Sequence, residues 1–271
     1  MSVTWQGPPP PQSPRIGPGG WLRVAVRGPV LAMVVFGGLV LLLLLRLVER
    51  PLCGLNRPVT PHITRWVCRG SFVIMGMTWR VTGRPMARRG AVVANHSSWL
   101  DIFALNAADT VYFVSKAEVA KWPGIGWLAR ATGTLFIRRN RHEAALHRDM
   151  FQQRLKAGHH LVFFPEGTST DGSQVLPFKS TLFEAFLTDD LKRILHIQPV
   201  SILYTDPVGN GPRYYGWWGD MEFGAHLLKI LATAPQGGVE LIYHPPVAVA
   251  DFSNRREIAQ YLGDQVRSSF C

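Results

Sequence analysis

Eighteen consecutive residues, Gly28 to Leu45, carry no charged or polar side chain, and Arg27 and Arg46 close the run on either side. As a helix such a run is about 27 Å long, close to the thickness of a bilayer's hydrocarbon core. A helix on a water-soluble surface needs a polar stripe, and this one has none. A cleaved signal peptide is the competing reading. The run exceeds a typical apolar signal region, and no small-x-small cleavage site follows it. A second apolar segment, Trp66 to Trp79, is too short to span but has tryptophans at both ends, which suits an interfacial helix. Residues 21–79 are therefore expected to be membrane-anchoring helices with the bilayer as partner. Residues 1–20 are Pro/Gly-rich, with Pro8-Pro9-Pro10-Pro11 in the middle, and are expected to be a disordered tail. Arg46, Arg50, Arg57, Arg65 and Arg69 follow the first segment, against Arg15, Arg23 and Arg27 before it. By the positive-inside rule the rest of the chain then faces the cytoplasm, and the inner (cytoplasmic) membrane is the expected location.

Composition agrees with a lipid-facing protein. Hydrophobic residues make up 47% of the 271, charged residues only 17%, and the formal net charge is +11. That charge calls for an anionic partner: phospholipid headgroups, an acidic carrier protein or nucleic acid. No nucleic-acid motif accompanies it, so nucleic acid is not expected. Cys53, Cys68 and Cys271 are odd in number and lack metal-ligand spacing. Neither a disulfide framework nor a metal site is expected.

From Arg80 onward the pattern changes. Short apolar runs at Ala91–Ala94, Val111–Val114, Leu161–Phe164, Ile197–Leu203 and Val239–Tyr243 read as strands. Helical spacing appears from His142 to Lys156, and again after Ser253, which reads as an N-cap ahead of Ile258, Tyr261, Leu262 and Val266. The alternation predicts an α/β fold: an open, mostly parallel sheet covered by helices, with the N-terminal membrane-anchoring helical segment attached. Residues 80–271 form the second domain.

The run Ala91–Ala94 delivers Asn95-His96-Ser97-Ser98-Trp99-Leu100-Asp101. An imidazole at a strand's C-terminal end can take a proton from a hydroxyl, and a nearby carboxylate can fix its tautomer. Alone, the spacing equally suits a loop histidine and a helix N-cap aspartate. Three later strings add weight: Gly133-Thr134-Leu135-Phe136-Ile137-Arg138-Arg139, Phe163-Phe164-Pro165-Glu166-Gly167-Thr168, and Ile197-Gln198-Pro199-Val200-Ser201. In this order the four blocks resemble the glycerolipid acyltransferase family, which acylates lysophosphatidic acid and related lysolipids. The likeness covers about residues 70–250 and implies that 80–271 is an acyltransferase domain.

The resemblance implies transfer of a fatty acyl group from a thioester to a lysolipid hydroxyl. His96 is then the base and Asp101 its orienter. Arg138, Glu166, Gly167, Thr168 and Lys179 are substrate-binding, with backbone amides of the Glu166–Thr168 turn as candidate oxyanion donors. No cofactor is implied; an acyl carrier protein or coenzyme A thioester is the co-substrate and partner, and the lysolipid is the acceptor. Phosphate-acylating members usually carry Arg after Glu-Gly-Thr, where this chain has Ser169, then Thr170-Asp171-Gly172. In that block it looks like the bacterial lyso-ornithine lipid O-acyltransferases, with lysophosphatidic acid as the alternative acceptor. Two other classes stay open: a non-catalytic lipid-binding membrane module and a hydrolase using His96 for water. The latter lacks a serine elbow.

Overall fold

The computed structural model describes residues 5–11, 15–137, 144–211 and 213–270. Two helices come first, α1 (Pro18–Cys53) and α2 (Thr60–Met75). Then follow β1 (Thr78–Thr82), β2 (Gly90–Ala94), α3 (Leu100–Ala108), β3 (Val111–Lys116), α4 (Ile125–Ala131), β4 (Leu135–Ile137), α5 (Ala144–Lys156) and β5 (His160–Phe163). The chain closes with α6 (Asp189–Lys192), β6 (His196–Thr205), α7 (Phe223–Ala232), β7 (Gly238–Tyr243), β8 (Val247–Ala248) and α8 (Arg255–Arg267).

The strands form one sheet in the order β1-β7-β6-β2-β5-β3-β4, with β8 also on β6. From β6 to β4 all neighbours are parallel, while β7 and β8 run antiparallel to β6. The expected open, mostly parallel sheet is present. Its central strands are apolar on both faces because both faces are covered. Val92 and Ala94 of β2 point into a core with Phe72 and Met75 of α2, Leu100 and Leu105 of α3, and Ile230 of α7. Ala91 and Val93 point into the opposite core, with Leu155 of α5 and Ile258 and Leu262 of α8. Pro199 could not serve a continuous ladder, since it has no N–H. It sits where β6 changes partner: His196 and Ile197 pair with β8, and the β7 ladder begins at Val200.

Helix α1 begins at Pro18, so it is longer than the apolar run at both ends. Only 11% of its most apolar window is buried. Leu31, Leu39 and Leu42 form the buried stripe, and Phe36, Val40, Leu44 and Leu47 are exposed. Glu49, itself buried, accepts hydrogen bonds from Val59 N (2.7 Å), Thr60 N (3.1 Å) and Thr60 Oγ1 (2.6 Å). A carboxylate of α1 thereby caps the start of α2, where the dipole favours negative charge. The arginines around the hairpin bind helix ends as well. Arg23 and Arg27 donate to Ala232 O and Leu231 O at the end of α7, and Arg65 and Arg69 to Ala108 O and Ala107 O at the end of α3.

Two boundaries differ from the sequence expectation. The segment Trp66–Trp79 is not one interfacial helix: Gly76, in the left-handed conformation, ends α2, and Trp79 lies in β1. The last helix is capped by Asn254 rather than Ser253. Asn254 Oδ1 accepts from Arg256 N (2.9 Å) and Glu257 N (3.1 Å), while Ser253 N donates to Glu257 Oε2 (2.8 Å). Both residues are good caps, and a one-residue shift alone separates them.

Gln198 is a polar hub in β6. It is buried, donates to Arg84 O and His244 O (both 2.9 Å), and accepts from Met86 N (2.8 Å). Gln198→Leu strands three backbone groups and is expected to cost about 3 kcal/mol. Thermal unfolding in detergent checks this; a variant as stable as the parent would refute it.

Candidate active site

The site is built where β2, β5 and β6 end. Asn95 continues β2 by one residue, and its side chain acts as an extra rung: Nδ2 donates to Ile202 O (2.9 Å) and Oδ1 accepts from Ile202 N (2.7 Å). That fixes where His96 emerges. The chain then turns into α3, and Asp101 falls in the first turn of that helix. The two expected catalytic residues meet there, with His96 Nδ1 2.8 Å from Asp101 Oδ2.

Asp101 is fully buried. Its Oδ2 also accepts from Ser97 N (2.8 Å) and Ser98 N (3.0 Å), and its Oδ1 accepts from Tyr204 OH (2.6 Å). Ser97 and Ser98 thus contribute backbone amides to this carboxylate. With Nδ1 engaged by Asp101, the proton-accepting nitrogen of neutral His96 is Nε2. The ring is held in plane by Phe164, stacked at 4.1 Å between centroids and 12° between planes.

Glu166 lies behind the histidine. It is buried, with Oε1 accepting from His96 N (2.7 Å) and Oε2 from Leu176 N (2.7 Å). Burial pushes its carboxyl up to about 8, against the opposing pull of those two amides. Both oxygens are engaged by backbone, so Glu166 pins His96 and the loop to Leu176. A substrate-facing role was expected from sequence; the observed contacts are to the protein's own chain. Thr170 N donates to His96 O (2.9 Å) and completes the clamp.

Gly167 has φ +72°, a conformation that glycine adopts freely. Lys179 crosses its open side: a Cβ at 167 would come 2.6 Å from Lys179 Nζ. The Gly167 N–H donates to Phe164 O (3.0 Å), so this amide of the turn is not a free oxyanion donor. Thr168 Oγ1 accepts from Trp5 N (3.2 Å). Asp171 forms a turn with Ser173 and pairs with Arg213 at 3.6 Å, which leaves it turned inward. Arg138 lies outside the described residues, one position past β4.

Sequence reasoning missed Tyr204, Phe164 and Trp5 as neighbours of the site. Phe164 belongs to the third block and follows the end of β5, and Tyr204 is the penultimate residue of β6, the strand that carries the fourth, so position near a strand end is a usable signal. For Trp5 nothing in the sequence pointed to the site. A cavity of about 700 Å³ lies elsewhere. Its lining includes Thr110, Tyr112, His159 and His160, at the starts of β3 and β5, whereas His96 follows the end of the parallel strand β2.

Residues 79–203 match the Acyltransferase family. The lyso-ornithine lipid O-acyltransferase of Rhodobacter capsulatus is 54% identical over 97% of this chain and 96% of its own. That of Rhizobium meliloti is 33% identical over 91% of this chain and 85% of its own. The 1-acyl-sn-glycerol-3-phosphate acyltransferase of Neisseria meningitidis is 37% identical over 44% of this chain and 45% of its own. In fold, the chain is similar to the crystal structure of the 1-acyl-sn-glycerophosphate acyltransferase of Thermotoga maritima, with a TM-score of 0.65, 23% identity, and 93% and 92% of the two chains covered.

His96→Ala removes the imidazole expected to accept the proton and leaves the backbone contacts of Asp101 and Glu166 in place. Turnover is expected to fall by about 10²–10⁴-fold with unchanged membrane recovery. Thioester consumption by purified variant measures this, and activity within a few-fold of the parent would exclude His96 as the base.

Proposed function

This chain belongs to the acyltransferase family, and from that premise we propose that it is a lysolipid O-acyltransferase whose preferred acceptor is lyso-ornithine lipid. The observation that carries the chemistry is the 2.8 Å contact between His96 Nδ1 and Asp101 Oδ2 at the end of β2. A lipid hydroxyl is a weak nucleophile near neutral pH. His96 Nε2 takes its proton as the oxygen attacks the thioester carbonyl. The buried carboxylate of Asp101 stabilises the imidazolium that forms. Collapse of the tetrahedral intermediate breaks the carbon–sulfur bond, and the departing thiolate takes the proton from His96. An acylated lipid and a free thiol result, and the enzyme is returned unchanged with no acyl-enzyme.

Glu166 is assigned a positioning role and Lys179, beside Gly167, an acceptor-binding one. Arg138 keeps its proposed role in headgroup binding from the family resemblance. The donor is an acyl carrier protein or coenzyme A thioester. The acceptor rests on the relative that is 54% identical along almost the whole chain, and on Ser169 in place of the phosphate-binding arginine. A second acceptor, lysophosphatidic acid, is favoured by the Neisseria match across the middle of the chain. The exposed apolar length of α1, with exposed Trp66 and Val73 on α2, supports seating of the α1–α2 hairpin in the bilayer. The arginines that follow α1 support an inner-membrane location with residues 80–271 facing the cytoplasm. External protease added to intact spheroplasts is then expected to spare residues 80–271; their digestion would reverse the orientation.

Acceptor choice is tested by offering both lysolipids to purified enzyme with one labelled thioester. Lyso-ornithine lipid is expected to have the higher specificity constant. Ser169→Arg is expected to move the ratio toward lysophosphatidic acid by about 1–2 kcal/mol, the scale of one charge-assisted hydrogen bond. An unchanged ratio would remove residue 169 from headgroup recognition.

A further inference from the structure

The amino-terminal stretch has no role in the mechanism above, yet it reaches the site. Trp5 N donates to Thr168 Oγ1 at 3.2 Å, and the Trp5 ring meets that of Trp218 with centroids 6.3 Å apart and planes tilted by 57°. These contacts lie on separate walls. Thr168 belongs to the turn that is tied to His96 through Glu166 and Thr170. Trp218 follows Trp217, whose backbone N donates to Ser97 O at 2.8 Å. Trp5 therefore bridges two walls that are both fastened to the His96–Ser97 backbone.

The segment is shaped to hold that position. Gly7 lies against the Trp5 indole so closely that a methyl group there would overlap the ring. Pro8-Pro9-Pro10-Pro11 follows, a sequence that favours a stiff extended helix about 12 Å long. Farther along, the start of α1 is clamped to α7 by Arg23 and Arg27, with Gly20 packed beside Ala232. A stiff strut loses less conformational entropy on docking than a flexible tail.

A base able to take a proton from a lipid hydroxyl can also take one from water, and the His96 side chain is 20% exposed. Hydrolysis of the donor would yield a fatty acid and a thiol, with the water proton passing through His96 to the leaving thiolate. Building on the acyltransferase reading, we propose that residues 5–11, with Trp5 at the tip, form a strap that roofs the acceptor side of the site. The strap keeps water from the thioester, so that the acyl group passes to the lysolipid.

The test uses full-length protein in mixed micelles with a long-chain coenzyme A or carrier-protein thioester and lysolipid. Thiol release and acylated lipid are measured together. In the parent the two are expected to match closely. Trp5→Ala and Gly7→Ala are expected to raise the ratio of thiol released to lipid acylated by about tenfold, because water then competes for the donor. Trp5→Phe, which keeps an aromatic roof, is expected to restore the ratio. A merely structural contribution would lower both rates together, and an unchanged ratio in Trp5→Ala would overturn the strap. A parent enzyme that releases thiol but acylates no lysolipid would instead overturn the acyltransferase reading, and the strap with it.

Discussion

A carboxylate buried beneath the end of a sheet organises this molecule. Asp101 accepts four hydrogen bonds, from an imidazole, two backbone amides and a phenol, brought together from the turn after β2 and from β6. An ionised group in such a place is tolerated only when its oxygens are saturated with donors. Saturating them requires β2 and β6 to be neighbours, the turn after Asn95 to be tight, and α3 to start where it does. The parallel pairing of β2 and β6 and the Asn95 rung supply those conditions. Fold and site are in this sense one constraint, since the sheet order places Tyr204 where the aspartate needs its fourth donor.

Glu166 acts in the same way on the other side of the histidine. Its two oxygens join the backbone of His96 to that of Leu176, so the histidine is fixed at its main chain as well as at its ring. A base held at three points loses little on reaching the geometry needed for proton transfer. In the proposed mechanism the acidic residue in Glu-Gly-Thr thereby acts through another residue's position.

The strands were legible because each central one is apolar on both faces, which makes a run such as Ala91–Ala94 unambiguous. The pairing of His96 with Asp101 was legible through its company in four ordered blocks. What escaped the sequence depends on contacts between distant segments. Tyr204 is an ordinary strand residue until β6 lies beside β2. Trp5 sits in a stretch whose composition argues for disorder, and only a partner elsewhere in the fold gives it a place. The boundary between α2 and β1 was missed because apolar residues continue across Gly76, where a change from helical to extended backbone leaves no mark in hydropathy. Asn254 displaced Ser253 as a cap by a single position, a distinction that side-chain chemistry alone does not make.

The arginine contacts at helix ends bear on how this protein senses its surroundings. A formal charge of +11 suggests a molecule drawn to anionic lipid over long distances. Yet Arg23, Arg27, Arg57, Arg65, Arg69 and Arg154 all donate to carbonyls at or just past the ends of helices. Each of these cations faces the negative pole of a helix, so its field is partly cancelled before it leaves the surface. On the proposed seating of the α1–α2 hairpin, attachment then rests more on the apolar length of α1 than on these six charges. Such a protein responds to the thickness and packing of the lipid around it more than to the ionic strength of the surrounding solution.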